Sequence, residues 1–351
     1  MKKLLSLFIV ISLVISLNAC QSLSNDSFSP SFAITEHPLV DTIWSVSEQQ
    51  FVTLDSLNYE ARRSNVILLG ETHDNIRHHQ LQSHIIAAFV AQQQFPAIAY
   101  EMLNHNQQES IDQFHADYLK RLQQGGARST ERTLDAFAKK IQWEKSGWPE
   151  WSYYQPVFFQ NFYNDLPIIA ANLDAKTIRE AIKQGPQVLS EDYQRQLERY
   201  QYPPELKKSL QAEILEAHCK LLPEKMLSPM LMGQQLRDLA MTKVIADYMA
   251  KQFAPQAFVP RTRDLVLIAG SGHTRTDYGI PYYLRHEAPN LKVLSMAFIE
   301  VSKDKLKPSD YAKNWSKTAQ QLPFDYVWFT QQAEREDQCE KMQTYMKNKG
   351  N

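Results

Sequence analysis

Ionisable side chains follow two apolar stretches of the sequence, at the point where each stretch ends. The first stretch, Val66 to Gly70, is followed by Glu71 and His73, and the second, Leu265 to Gly270, is followed by His273. Each stretch is typical of a buried strand. Ligands bind beyond the carboxyl ends of the strands in open α/β sheets. We therefore expect these side chains to meet at one site.

Two more carboxylates, Glu101 and Asp174, lie at or near the ends of further predicted strands. Two imidazoles and two or three carboxylates in one cleft could bind a divalent cation or transfer protons. The alternative is that these groups cap helices and pair with Arg77, Arg179 or Arg275. That alternative suits any one residue, but independent strands seldom all end in ionisable groups by chance. The set as a whole predicts a functional site.

Aromatic residues crowd into one short segment: Trp143, Trp148, Trp151, Tyr153, Tyr154, Phe158, Phe159, Phe162 and Tyr163. Pro156 suits the first turn of a helix, which would place Tyr154 just before the helix N-terminus, where a phenolate is favoured. A flat apolar ligand such as a porphyrin needs an apolar slot and an axial donor, and tyrosinate can ligate haem iron. The alternative is that these rings fill the interface between a lid and the sheet.

Strand and helix patterns alternate through most of the chain, which predicts an α/β fold with a mostly parallel central sheet flanked by helices. Two helical insertions, at about 126–163 and 185–253, interrupt this order and are expected to form a lid over the site. We assign one domain to 41–330 and a polar C-terminal tail to 331–351.

The N-terminus predicts export and lipidation. A basic start and an apolar run end at Ala19-Cys20, which resembles a bacterial lipoprotein signal over residues 1–19. Acyl chains on Cys20 would anchor the protein to a membrane, and a flexible tether would occupy 20–40. Gln21 is not the Asp that often retains lipoproteins in the inner membrane, so similarity to sorted lipoproteins predicts the outer membrane. An uncleaved anchor or an ordinary secretory signal is the alternative.

Charge and cysteine content limit the possible partners. The formal charge of −1 becomes −3 once Lys2 and Lys3 leave with the signal, so nucleic acid is not an expected partner. With Cys20 lipidated, Cys219 and Cys339 remain, which permits one disulfide or two free thiols.

Several of these segments together resemble the ChaN-like haem-binding lipoproteins. The matching segments are GETHDNIRHHQ from Gly70, EML from Glu101, Trp148-Pro149, Tyr154-Gln155-Pro156, ANL from Ala171, His218-Cys219 and AGSGHTRTDYGIP from Ala269. The resemblance covers roughly Ile43 to Glu300.

The resemblance implies a lipoprotein of iron acquisition that binds ferric haem through a tyrosine, with haems held face to face in a homodimer. Tyr154 matches the tyrosine of the family's Tyr-x-Pro pattern and is the predicted iron ligand, with Tyr153 in reserve. On physical grounds, His73 and His273 could donate hydrogen bonds to the ligand or a propionate, and Arg275 could pair with a propionate.

The same layout is similar to that of the distantly related Tiki and erythromycin-esterase group. In that alternative the protein is a metal-dependent hydrolase, in which Glu71, His73, Glu101 and His273 hold a metal or activate water. A scaffold with a vestigial cleft is a third possibility. We prefer a binding protein because of the tether, the aromatic lid and the closer family resemblance.

Overall fold

A computed structural model describes residues 32–128, 131–252, 264–315 and 319–349. Its strands are β1 (Phe32–Ile34), β2 (Ile43–Ser45), β3 (Gln50–Val52), β4 (Val66–Glu71), β5 (Ala97–Asn104), β6 (Ile168–Asn172), β7 (Leu265–Gly270), β8 (Val293–Glu300), β9 (Tyr326–Thr330) and β10 (Gln332–Ala333). Eight of them form one sheet in the order β3-β2-β9-β8-β4-β7-β5-β6. The six strands from β9 to β6 run parallel, and the β2–β3 hairpin extends the sheet antiparallel to β9. The predicted α/β class and mostly parallel sheet are confirmed.

Twelve α-helices accompany the strands, and each begins and ends as follows: α1 (Leu54–Ala61), α2 (Ile76–Ala91), α3 (Gln108–Gln123), α4 (Glu131–Lys140), α5 (Trp151–Asn164), α6 (Ala175–Gln184), α7 (Glu191–Arg199), α8 (Pro204–Ala217), α9 (Leu227–Gln252), α10 (Ser271–Thr274), α11 (Ile280–Glu287) and α12 (Gln338–Lys349). Short 3-10 helices cover His105–Gln107, Trp143–Lys145, Pro186–Val188, Glu224–Met226 and Pro308–Asn314.

The central strand β4 is buried at every residue because helices cover both faces of the sheet. Side chains alternate between the faces of a strand. Ile67 and Leu69 pack with the core that includes α2 and α5, whereas Val66 and Leu68 pack with α9 and α11. An apolar run without alternation is what a strand buried on both faces requires.

Strand register brings the predicted site residues to one edge of the sheet. Glu71 lies opposite Gly270 in the β4–β7 pair, and Glu101 follows Tyr100, which lies opposite Ile268 in the β5–β7 pair. These positions are therefore level across three adjacent strands, at the carboxyl ends where α/β proteins bind ligands.

The start of α5 differs from the sequence prediction. Tyr153 donates its backbone N–H to the carbonyl of Glu150, and the helix begins at Trp151 instead of near Pro156. Tyr154 consequently lies inside the helix and not ahead of its N-terminus. Pro156 therefore lies inside the helix, in its second turn, where it lacks the N–H for one helical hydrogen bond.

The predicted signal, Cys20 and most of the predicted tether lie outside the described residues. Among the described residues, no helix has both the length and the apolar character needed to cross a bilayer.

The C-terminal segment is tied to the domain by strand pairing and by charged contacts. Strand β10 pairs with β1, and the Arg335 guanidinium binds the carboxylates of Asp74 and Glu300. Cys219 and Cys339 form a disulfide across 120 residues, which realises one of the two predicted cysteine states.

Candidate functional site

The Glu71 carboxylate is the centre of one buried hydrogen-bond cluster. Its Oε1 accepts from His73 Nδ1 at 2.9 Å and from the Tyr154 hydroxyl at 2.7 Å, and its Oε2 accepts from Gln82 Nε2 at 2.6 Å. His79 Nδ1 lies 3.1 Å from Oε2. His73 follows the end of β4, and His79 and Gln82 lie on the buried face of α2. The fold therefore brings all three donors to the carboxylate.

Glu101 is the centre of a second cluster one strand away. Its Oε1 lies 3.2 Å from His273 Nε2, and its Oε2 accepts from the Gly270 backbone N–H at 2.8 Å. His273 Nδ1 donates to Asp238 Oδ1 at 2.7 Å, so that this imidazole lies between two carboxylates. His73 joins the clusters, because its Nε2 is 4.0 Å from Glu101 Oε2.

Glycine at position 270 is required by this arrangement. A Cβ atom there would lie 2.9 Å from His73 Nε2 and 3.0 Å from Cε1, which is closer than side chains pack. The absence of that atom lets the imidazole lie directly against the end of β7.

The charges of the two clusters are strongly coupled. Burial would raise the pKa values of Glu71 and Glu101, but the neighbouring imidazoles lower them, that of Glu71 well below its usual range and that of Glu101 to about 2. Burial would lower the pKa of His273, yet Glu101 and Asp238 raise it to about 10. Burial raises the pKa of Asp238 to about 6, against the opposing effect of His273. The site thus keeps ionised carboxylates paired with a protonated His273 at neutral pH.

His73 is the most accessible of these groups. Its side chain is 35% exposed, against 7% for His273 and 4% or less for the two glutamates. Burial would lower the pKa of His73, but the bond to Glu71 and the charge of Glu101 raise it. The edge of Trp148 packs against its ring at a centroid distance of 4.9 Å. An imidazole whose Nδ1 is held by a carboxylate keeps its Nε2 oriented for proton transfer or for binding a ligand.

The predicted iron ligand, Tyr154, is fully buried. Its hydroxyl donates to Glu71, and its ring packs against His79 and Trp143 at centroid distances of 4.1 and 4.9 Å. Burial and the Glu71 charge raise the pKa of Tyr154 well above its usual value, which opposes the phenolate that the sequence prediction favoured. This hydroxyl is therefore not presented to a ligand in this structure.

Tyr153, the reserve iron ligand, and Arg275, the predicted partner of a propionate, lie in different environments. Tyr153 is half-buried, with its ring 6.5 Å from that of His79, and burial, Glu150 and Asp74 raise its pKa. Arg275 is only 2% exposed and is bound by Asp277, Glu213 and the carbonyl of Trp315. Because its donors are already engaged inside the protein, Arg275 is not placed to pair with a propionate.

A cleft of about 810 Å³ opens over this edge of the sheet. Glu101 and His273 line it together with Trp148 from the aromatic insertion and Gln234 from α9. Both predicted insertions therefore contribute to the wall of the cleft. The other aromatic rings mostly serve the packing role that was the alternative, since Trp143, Phe158 and Phe162 are buried in the core.

Comparison with known proteins fits this geometry. A family model described as "Haem-binding uptake, Tiki superfamily, ChaN" matches residues 57–284. This range includes Glu71, Glu101, Tyr153, Tyr154 and His273. The chain belongs to this family. The suspected resemblance is thereby confirmed, and haem binding is the activity for which the ChaN family is described.

A solved structure gives the same result for the fold. This structure, described as cofacial haem binding to ChaN of Campylobacter jejuni, has a TM-score of 0.59 and 21% sequence identity, over 84% of this chain and 98% of that one. An erythromycin esterase, EreC, in its open conformation has a TM-score of 0.41 and 11% identity, over 86% of this chain and 99% of that one. The search of curated proteins gave no match.

Sequence reasoning found four of the central residues and missed their partners. Asp238 lies within an amphipathic helix that reads as core packing, and only the fold brings it to His273. Gln82 gave no signal beyond the helical period. Asp174 does not join the site, because it caps α6 by accepting from the backbone N–H and hydroxyl of Thr177. The helix-capping alternative therefore holds for Asp174 alone among the five carboxylate and imidazole positions at strand ends.

No group of three or more His, Cys, Asp or Glu is arranged to hold a metal ion within the described ranges.

Proposed function

We propose that this ChaN-family protein is a lipid-anchored, haem-binding protein of haem uptake, held in the outer membrane through Cys20. The family match is the observation that carries the haem-binding part of the proposal, and the fold shared with C. jejuni ChaN supports it. The anchor rests on the lipoprotein-like signal that ends at Cys20. The cleft volume of about 810 Å³ lies within the range of sites for large organic ligands.

A tyrosine supplies the axial ligand of ferric haem in this proposal, and Tyr153 fits that role better than Tyr154. Tyr154 would have to leave a hydrogen bond to an ionised, buried carboxylate and to be uncovered from the core. Tyr153 lies one residue earlier on the same helix and is half-buried. A ligand at the surface also suits haems held between two subunits, the arrangement proposed for a homodimer. When bound, the haem would bring the iron, and the chain would supply the phenol.

The test is a titration of the soluble domain with ferric haem. We expect a shifted Soret band and a tyrosinate-to-iron charge-transfer band that Tyr153→Phe removes and Tyr154→Phe retains. Loss in Tyr154→Phe alone would return the ligand to Tyr154 and leave haem binding in place. An unchanged haem spectrum in the wild-type protein would refute the proposed function. Sedimentation during the titration reports the dimer, and loss of acyl labelling in Cys20→Ser reports the anchor.

The paired imidazoles favour a second candidate function, hydrolysis by acid–base catalysis. His73 is oriented by Glu71 and His273 by Asp238, and both face Glu101 beside the cleft. In its neutral form, His73 would take a proton from water through Nε2, since Glu71 holds Nδ1. The water oxygen would attack the ester carbonyl, the C–O bond to the leaving group would break, and His73 would return the proton to the leaving alkoxide. Protonated His273, whose N–H groups are held by Glu101 and Asp238, would contribute positive charge beside the substrate instead of a direct hydrogen bond.

Hydrolysis of a nitrophenyl ester tests this second candidate. His73→Gln should abolish turnover, whereas His218→Gln should not, because His218 only donates to the carbonyl of Ile214. Equal rates in both variants and in the wild type would exclude a role of this cluster in hydrolysis.

A further inference from the structure

Four cationic side chains line the cleft above Glu101 and His273. They are Lys140 at the end of α4, Lys145 at the end of the 3-10 helix Trp143–Lys145, Arg179 on α6 and Arg237 on α9. Because they come from four separate elements, their convergence is a property of the tertiary fold and not of one charged helix face.

The acidic residues near the cleft do not neutralise this charge. Glu101 is the only acidic residue among the described residues that line the cleft, and it already faces His273 and the Gly270 N–H. None of the four cations forms a salt bridge with a described residue, and Arg237 acts on the charge of the Asp238 carboxylate without one. The alternative in which Arg77 and Arg179 pair with the strand-end carboxylates does not hold: Arg77 pairs with Asp41, and Arg179 lies on the cleft wall.

Helix ends explain part of the pattern but not all of it. Lys140 and Lys145 lie in the last turns of their helices, where the helix dipole favours a cation. Arg179 and Arg237 are in helix interiors, so this explanation does not apply to them. A guanidinium group binds a carboxylate through two parallel N–H bonds, which makes arginine the better reader of that group.

We propose that the cleft binds the carboxylate groups of its organic ligand, with Arg179 and Arg237 as the principal contacts and the two lysines adding positive potential. The inference deepens the proposed function and rests on it for one source of the carboxylate, the haem propionates. The other source is a carboxylate on a substrate of the acid–base cluster. Polar lining groups such as Asn104, Asn172 and Gln234 suit the rim of such a ligand better than its apolar centre. The cleft thus provides the anion contacts that buried Arg275 does not.

Binding of ferric haem and of its dimethyl ester, which lacks both carboxylates, tests the haem source. The wild-type protein should bind haem at least about tenfold more tightly than the ester. The double variant Arg179→Gln/Arg237→Gln should bind the two about equally, with its loss confined to haem. The control, Lys183→Gln/Lys251→Gln, removes the same charge from the same two helices outside the lining of the cleft and should keep the preference.

Equal binding of haem and ester by the wild type, or a preference that survives in the double variant, would overturn the inference. If the wild type binds neither haem nor its dimethyl ester, the proposed function fails. Fluorescence titration with pyrenebutyrate and with pyrenebutanol, which lacks the carboxylate, then tests the inference by itself. A preference for pyrenebutyrate that disappears in the double variant then supports carboxylate recognition of the second source. No preference refutes both proposals.

Discussion

The hydrogen bond from Tyr154 to Glu71 makes a quantitative prediction about stability. Its acceptor is an ionised carboxylate, both groups are buried, and the oxygens are 2.7 Å apart. A buried hydrogen bond to a charged group contributes about 1.5–3 kcal/mol. Because Gln82 and His73 still satisfy the carboxylate in Tyr154→Phe, we expect a loss of unfolding free energy at the lower end, about 1.5–2 kcal/mol. For a domain of roughly 300 residues this corresponds to a decrease in Tm of about 2–3 °C.

A double-mutant cycle separates this bond from general packing effects. Urea unfolding of Tyr154→Phe, Glu71→Gln and the double variant should give a coupling of at least about 1 kcal/mol, since both single changes weaken the same contact. Tyr118→Phe is the matched control, because its buried hydroxyl donates instead to the carbonyl of Phe162. The control should show no coupling to Glu71→Gln beyond about 0.3 kcal/mol. A Tyr154–Glu71 coupling as small as that of Tyr118 would refute the assignment of Tyr154 as a partner of Glu71.

Three further predictions follow from contacts around the site. Gly270→Ala should destabilise the fold by about 1–3 kcal/mol in urea and shift the His73 imidazole NMR signals, because the added Cβ lies 2.9 Å from Nε2; normal stability with unshifted signals would contradict the contact. Protonated His273 should stabilise the wild type fully below about pH 6.5 and should lose that effect as the pH rises through about 10. In Asp238→Asn the loss should occur at lower pH, as measured by urea unfolding at a series of pH values. Superimposable pH profiles of the two proteins would exclude this pairing. Cys219→Ser should lower the free energy of unfolding by about 2–5 kcal/mol, and reduction of the wild type should lower it as much; no change under reduction would mean that the disulfide does not stabilise the domain.

The parallel sheet and the position of the site were predictable because they depend on local patterns. The apolar runs Val66 to Gly70 and Leu265 to Gly270 predict buried strands, and parallel strands bring their carboxyl ends to one edge of the sheet. Glu71 and Glu101 could therefore be assigned to a common edge before any coordinates. Such reasoning requires only the period of the apolar residues and the position where each run ends.

Side-chain partners were not predictable because they depend on packing between distant elements. Asp238 on α9 gives no sequence signal that separates it from any other polar position of a helix, yet it is fully buried against His273. Tyr154 could not be recognised as a partner of Glu71, since the helix begins at Trp151 and turns the ring into the core. The prediction that Arg275 contacts a ligand was wrong because its guanidinium is bound by Glu213 on α8 and by Asp277 in the loop after α10.

The pairing of β1 with β10 determines how mechanical load from an N-terminal anchor would enter the domain. Phe32–Ile34 is hydrogen-bonded to Gln332–Ala333, and Arg335 fastens the following residues to Asp74 and Glu300. A pull on the chain ahead of Phe32 would first strain this two-stranded ribbon, which is separate from the eight-stranded sheet. The two strands of this ribbon would thus separate first, while the strands that carry Glu71 and Glu101 keep their register.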